Sequence, residues 1–245
     1  MSGARRTVTR RRAIGVSCAL VALAAAALAQ QGRDAEASPS RGGAGVGSSG
    51  GESWEELLSP YPDAVGWVRV SGTRVDAPLM QASGDDPDFW LSHAPDGTPD
   101  REGSVYLDSR CSTSTQAAMA YGHHVGDTGR ALSDVHGAFS QDAFDGIGGM
   151  TLYVRATGEE RTLSPTLAMS VDKSYADIQR FGFADDDSLH GWLGGLLSQA
   201  SASSGDAEAL IAAATRAMTL VTCSSDTAGR RARTLLTFCE GGEAL

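Results

Sequence analysis

Two stretches near the C-terminal end decide the fold: Thr219-Leu-Val-Thr-Cys223 and, beginning ten residues after that cysteine, Arg233-Thr-Leu-Leu-Thr-Phe238. Both are rich in β-branched and apolar residues, which predicts two adjacent β-strands. The first strand would end on a thiol and the second would begin on a guanidinium, so both groups would lie at one end of a sheet. A thiol becomes a nucleophile when a base or cation favours its thiolate and a donor stabilises the oxyanion that it creates.

Cys223 is the candidate nucleophile of this pair. A lone cysteine is more often a small buried hydrophobic side chain, but Ser224-Ser-Asp226 follows at once and indicates an exposed strand-to-loop edge. Arg233 is the candidate oxyanion donor, because arginine stays protonated and binds a carbonyl oxygen but cannot act as a base. Arg231 lies two residues earlier, on the same face of the strand, and is the alternative donor.

The acid or base for the thiol is expected in Tyr121-Gly-His-His124, at the end of a predicted strand. Two consecutive histidines on a strand face opposite sides, so at most one of them, His123 or His124, can face the thiol. The remaining histidines, at positions 93, 136 and 190, lie in polar or helical settings. The adjacent pair does not favour a metal site, because no third ligand is spaced nearby.

Charge and cysteine content exclude several other classes of protein. Residues 1–33 hold six arginines and no acid, so the rest of the chain has 14 basic against 30 acidic residues. Such an acidic body argues against nucleic-acid binding. The cysteines at 18, 111, 223 and 239 match no zinc spacing. A disulfide between Cys111 and Cys239 is one arrangement that would leave Cys223 free.

The N-terminal residues 1–30 are predicted to be a signal anchor or a signal peptide. Five arginines precede Ala13–Ala29, which carries no charge. The run is long enough to span a bilayer, and its basic flank would stay cytoplasmic with the body outside. We favour an anchor over cleavage near Ala29. Residues 31–52, rich in Gly, Ser and Ala, are expected to be a flexible linker, with the catalytic domain at 53–245.

Hydrophobic periodicity within this domain predicts a mainly β fold of seven or eight short strands with few helices. Strands are expected at Trp67–Val70, Arg74–Asp76 (stopped by Pro78), Gly103–Asp108, Ala117–Tyr121, Met150–Ala156, Arg161–Val171, Met218–Thr222 and Thr234–Phe238. Helices are expected at Ser53–Leu58, Ala131–Phe139, Asp187–Ala200 and Ala207–Ala214, and a helix or turn at Asp88–His93. This pattern indicates a barrel or sandwich with helical insertions.

With these residues in hand, the chain resembles the sortase family of Gram-positive cell-surface cysteine transpeptidases, and among its classes it looks most like class B. The family's motifs are a Thr-Leu-x-Thr-Cys strand followed by an arginine at the next strand's start, and a Tyr-Gly-His segment. Here they read Thr219–Cys223 with Arg233, and Tyr121–His123. The stretch Gly66–Gln81 is similar to the family's first two strands, and the resemblance spans about Ser53 to Phe238.

The resemblance implies a closed barrel of about eight strands, with an N-terminal helix and a helical insertion before the cysteine strand. By position, Cys223 would be the nucleophile, His123 the acid and base, and Arg233 the ligand of oxyanion and substrate. Two positions depart from class B: His124 replaces the usual Asn and Val221 the usual Ser.

The implied reaction is acyl transfer through a thioester, after cleavage of a sorting signal behind its Thr. The acceptor would be the amine of a peptidoglycan cross-bridge or of a pilin lysine. No metal or organic cofactor is required, and the enzyme would lie at the cell membrane with its domain outside. The alternatives are a secreted cysteine endopeptidase that only hydrolyses and a non-catalytic surface β-domain.

Overall fold

The computed structural model of this chain describes residues 53–126, 129–223 and 231–241. The predicted anchor at 1–30, the linker at 31–52 and the loop Ser224–Asp226 lie outside these described residues. Among the helices that the structure describes, none combines the length and the apolar character needed to cross a membrane.

The domain is built around a closed β-barrel. Its strands are β1 (Ala64–Val70), β2 (Asp76–Gln81), β3 (Val105–Leu107), β4 (Ala117–Tyr121), β5 (Met150–Val154), β6 (Glu159–Asp172), β7 (Ala202–Ser203), β8 (Ala214–Cys223) and β9 (Ala232–Gly241). They pair in the order β5-β1-β2-β3-β4-β8-β9-β6, a further β5–β6 pairing closes the ring, and the short β7 joins β6. Closure leaves no long open edge. The predicted barrel of about eight strands is confirmed.

In the described part of the chain, four α-helices flank the barrel: α1 (Trp54–Leu58), α2 (Gln141–Phe144), α3 (Asp186–Leu197) and α4 (Ala207–Ala212). The side chains of Ser53 and Glu56 form a reciprocal capping box at the start of α1. Helices α3 and α4 supply the expected insertion before the cysteine strand. Single 3-10 turns occupy Phe89–Leu91 and Ser133–Val135.

Two predicted elements are wrong. The helix expected over 131–139 is only the 3-10 turn at 133–135. Ala131 adopts a left-handed backbone with φ 48°, so no helix can begin at that residue. Pro78 does not stop the second strand but lies inside β2, where it pairs with Trp67 of β1. Pairing of β2 with β3 begins one residue later, at Leu79, so the missing N–H of Pro78 falls outside that ladder.

Alternating side chains give the strands two differently packed faces. The inward face forms the barrel core, which includes Leu79, Leu107, Leu220 and Phe238. The outward face of β4, β6, β8 and β9 packs against α3 and the segment 173–184, through a cluster of Met119, Leu167, Met169, Ile178, Leu196, Val221 and Leu235. Beyond this cluster, the next outward-facing side chains of these strands lie at the strand ends.

Gly66 provides a test of the barrel packing. A Cβ added there would lie 2.2 Å from the carbonyl oxygen of Tyr153 on β5, so the paired backbones would have to separate. We expect Gly66→Ala to lower the free energy of unfolding by about 2 kcal/mol or more. Urea unfolding measures this, with Gly84→Ala as the control, since a Cβ at Gly84 meets nothing within 4 Å. Equal midpoints for the two variants would contradict the packing.

Candidate active site

Strand pairing brings the three predicted site residues to one end of the sheet. Cys223 is the register partner of Arg233 across the antiparallel β8–β9 pair. In the parallel β4–β8 pair Tyr121 is aligned with Val221, and the amide of Gly122 donates to the Val221 carbonyl at 3.2 Å. His123, two residues beyond Tyr121, therefore comes level with Cys223. All three continue the outward face of their strands.

Cys223 differs from the other two cysteines that the structure describes. It is half-buried, whereas Cys111 and Cys239 are buried, and all three are free thiols. The disulfide considered from the sequence is therefore not formed. Burial raises the pKa of the Cys239 thiol to about 11 and also raises the pKa of Cys111. These two thiols stay protonated, which leaves Cys223 as the accessible thiol among the cysteines of the described residues.

The ring of His123 is oriented by a backbone carbonyl. Its Nε2 lies 2.9 Å from the carbonyl oxygen of Leu91, in the 3-10 turn that follows β2. A carbonyl only accepts hydrogen bonds, so Nε2 carries the proton and donates it. In the neutral imidazole Nδ1 is then the basic nitrogen, and it is the atom available to exchange a proton.

The structure separates the two candidate arginines. Arg231 forms a bidentate pair with Asp172, with Nε–Oδ2 and Nη2–Oδ1 distances of 2.7 Å. The hydrogen bonds from Arg231 and Ser174 hold the pKa of Asp172 well below its usual range. Arg233 is half-buried, stands opposite Cys223 and donates from Nη1 to the Ala232 carbonyl at 3.0 Å. The geometry favours Arg233 as the donor near the thiol.

His124 lies on the other side of the chain from His123. Its ring stacks on His136, with centroids 3.9 Å apart and planes 26° from parallel. His136 is held by the 133–135 turn, since its Nδ1 lies 2.7 Å from the Ser133 carbonyl. The His136 carbonyl in turn accepts a hydrogen bond from the hydroxyl of Thr234, next to Arg233. His136 therefore contacts the sequence neighbours of His123 and Arg233, which its polar sequence context did not indicate.

A charged network that the sequence did not reveal adjoins Tyr121. The phenol donates to Asp108 at 3.0 Å, and Arg110 holds both oxygens of that carboxylate at 2.8 and 2.6 Å. Arg110 also donates to Gln179 at 2.9 Å and lies 4.9 Å from the centre of the Phe181 ring. The network therefore links the strand that carries His123 to the 173–184 segment. Burial, reinforced by the Asp108 carboxylate, raises the pKa of Tyr121.

The functional groups of the candidate site are a thiol, an imidazole and a guanidinium. Within residues 53–126, 129–223 and 231–241, no group of three or more His, Cys, Asp or Glu side chains could hold a metal ion. A thiol, an imidazole with one basic nitrogen and a guanidinium on one surface can carry out nucleophilic attack, proton transfer and oxyanion stabilisation.

Comparison with known proteins supports the resemblance inferred from the motifs. No family model matches the chain. A segment of 80 residues is 32% identical to sortase B of Staphylococcus aureus (strain NCTC 8325 / PS 47), and covers 30% of this chain and 30% of that protein. The aligned segment thus spans less than a third of the relative that it matches.

Solved structures of sortase B share the fold over most of the chain. Sortase B of Clostridium perfringens superposes with a TM-score of 0.63 at 21% identity, over 77% of this chain and 99% of that one. A Staphylococcus aureus sortase B–substrate complex gives 0.62 at 22% identity, over 78% and 85%. Sortase B complexed with Gly3 gives 0.62 at 21% identity, over 78% and 86%. The predicted resemblance to sortase B is confirmed, and the fold is that of sortase B.

Asp108 makes the stability of this region depend on pH. Burial opposes its charged form, but hydrogen bonds from Arg110 outweigh burial and lower the pKa of the carboxyl. The stabilisation is therefore complete above the unfolded carboxyl pKa of about 3.9, and it is lost as pH falls through the folded value. Asp108→Asn should remove this acid-side loss and should lower the free energy of unfolding at neutral pH by about 1–3 kcal/mol.

Urea unfolding of the parent protein and of Asp108→Asn between about pH 3 and pH 7 measures the acid-side loss and the change in the free energy of unfolding at neutral pH. Asp85→Asn is the control, because Asp85 is an exposed carboxylate. If the acid-side loss of stability were as large in Asp108→Asn as in the parent protein, Asp108 would contribute nothing to it.

Proposed function

We propose that this chain is a membrane-anchored cysteine transpeptidase of the sortase B type. It would cleave a C-terminal sorting signal after Thr through a thioester and transfer the acyl group to a cell-wall or pilin amine. The observation that carries the proposal is the pairing of Cys223 opposite Arg233, with His123 two residues beyond the end of the adjoining parallel strand β4. The sortase B fold and the 32% identity over 80 residues support it.

The first step is attack by the Cys223 thiolate on the carbonyl carbon of the Thr in the signal. The carbonyl oxygen becomes an oxyanion, and the guanidinium of Arg233 supplies the donors that stabilise it. The imidazole of His123 holds the thiol proton on Nδ1 and gives it to the departing amine as the peptide C–N bond breaks. Its Nε2–H remains bonded to the Leu91 carbonyl, so the ring keeps its orientation.

The second step reverses these roles with a new amine. The amine attacks the thioester carbon, Nδ1 of His123 accepts its proton, and the C–S bond breaks to return Cys223 as the thiolate. Arg233 again stabilises the oxyanion between attack and departure. Water in place of the amine would give hydrolysis, so the outcome depends on which nucleophile reaches the thioester.

Substrate and acceptor are proposed from the chemistry and from named relatives. The relatives include a Staphylococcus aureus sortase B–substrate complex and a sortase B complexed with Gly3. We infer that this chain likewise takes a sorting-signal peptide and an oligoglycine-like or lysine amine. Residues 1–30 would anchor it in the membrane, with the N-terminus cytoplasmic and the domain outside, where wall or pilin amines are available.

The direct test is acyl transfer by the full chain. It is incubated with peptides carrying Asn-Pro-type and Leu-Pro-type signals, with and without triglycine, and the products are read by mass spectrometry. We expect a Thr–triglycine ligation product, and Cys223→Ala should reduce its formation by at least about 10³-fold. Cleavage without ligation would identify a hydrolytic endopeptidase. No turnover, together with a Cys223 inert to a methanethiosulfonate reagent, would identify a non-catalytic domain.

A matched pair of variants tests the arginine assignment. Arg233→Gln should lower kcat by about 10²–10³-fold, because the oxyanion loses its charged donor. Arg231→Gln should change kcat by less than about threefold, since Arg231 is already paired with Asp172 at the surface. The kcat of both variants is measured by steady-state kinetics with a peptide that the ligation assay shows to be a substrate. A larger loss for Arg231→Gln than for Arg233→Gln would assign the oxyanion donor to Arg231 instead.

A further inference from the structure

Gly103 lies directly behind the carbonyl that orients His123. It is a buried residue with a left-handed backbone, φ +61°, at the end of the turn that precedes β3. A Cβ built on it would lie 2.6 Å from the Trp90 carbonyl oxygen and 2.8 Å from the Leu91 carbonyl oxygen. The second of these oxygens is the one that accepts the hydrogen bond from Nε2 of His123.

The atoms that such a Cβ would meet belong to a backbone that cannot easily move. The amide of Ser104 donates to the Trp90 carbonyl at 2.9 Å, and the Ser104 hydroxyl donates to the His93 carbonyl at 2.8 Å. The Trp90 indole donates to the Gln81 carbonyl at 2.9 Å, which fixes the same turn to the end of β2. The 103–104 segment therefore backs the 89–93 turn closely, and only a residue without a Cβ permits this approach.

We propose that Gly103 is a positioning residue for His123. It lets the 103–104 segment hold the Leu91 carbonyl where Nε2–H of His123 can donate to it, and this selects the tautomer with a basic Nδ1. The role of Gly103 in catalysis rests on the proposed function of His123. Its role in fixing the tautomer does not, because the close approach of Gly103 to the Leu91 carbonyl and the hydrogen bond from His123 to that carbonyl do not depend on any reaction.

Gly97 offers a matched control. It also has a left-handed backbone, φ +81°, but a Cβ there meets nothing within 4 Å. Alanine at either position carries the same penalty for φ, so both variants should lose stability. Only the Gly103 variant also presses on the Trp90 and Leu91 carbonyls.

The experiment compares the full chains with Gly103→Ala and Gly97→Ala. Histidine labelled with ¹⁵N reports the tautomer of the His123 ring by NMR, and His123→Gln assigns its signals. We expect Gly103→Ala to move His123 away from the Nε2–H tautomer, to lower kcat about 10–100-fold and to leave KM within about twofold. Gly97→Ala should keep the parent tautomer and a kcat within about twofold of the parent.

A second pair covers the case in which Gly103→Ala fails to fold. Asparagine tolerates the left-handed region but still has a Cβ, so Gly103→Asn and Gly97→Asn separate the steric contact from the backbone penalty. An unchanged His123 tautomer in the folded Gly103 variant, or the same shift in the Gly97 variant, would overturn the proposal. If the parent chain ligates no peptide, the proposed function fails, while the tautomer still decides the role of Gly103.

Discussion

The register between β8 and β9 is the constraint on which the rest of the site depends. Thr219 faces Thr237 with their hydroxyl oxygens 2.9 Å apart, and four residues further along the strand Cys223 faces Arg233. Side chains alternate with a period of two, so a slip of one residue would turn Cys223 into the barrel interior. Packing on both faces opposes such a slip, because the inward residues fill the core and the outward residues pack under α3. The fold thus sets the geometry of the thiol and the guanidinium.

The strand ends carry two layers of residues with different tasks. Each candidate site residue has a neighbour in sequence behind it: Thr222 beside Cys223 and Thr234 beside Arg233 are buried, and His124 beside His123 is half-buried. In the inward layer, the Thr234 hydroxyl bonds the His136 carbonyl and His136 stacks on His124. These contacts join the ends of β4 and β9 through the 133–136 turn. The histidine at 124 therefore takes part in these contacts behind the site.

The sequence predicted whatever depends on local pattern and spacing. Strand periodicity predicted a barrel or a sandwich, and the family resemblance implied the closed barrel. The motifs were enough for the neighbouring strands that end on Cys223 and begin on Arg233, and for placing His123 after the end of β4. It did not predict contacts between groups far apart in the chain. Arg231 is held by Asp172, which is 59 residues away, and this pairing is what favours Arg233 over Arg231 as the donor near the thiol.

The same limit applies to the residues that orient His123. Leu91 contributes a backbone carbonyl, which every residue has, so no residue type marks it in the sequence. Gly103 is recognisable only once its distance to that carbonyl is known, because glycine is common in this chain, at 30 of 245 residues. Pro78 led to a wrong prediction of β2. A proline is tolerated where its missing N–H is not needed for strand pairing, and that pairing depends on the tertiary fold, which the local sequence does not show.

The hydrogen-bond partner of His123, the Leu91 carbonyl, also affects how charge is stabilised in the site. A carboxylate beside an imidazole orients the ring and stabilises its positive charge together. A carbonyl, such as that of Leu91, orients the ring but contributes only a dipole. The dipole of the Leu91 carbonyl therefore stabilises a positive charge on the ring less than a carboxylate would. In the proposed reaction, stabilisation of the negative charge on the oxyanion would therefore fall mainly to Arg233, which faces Cys223 across the β8–β9 pair.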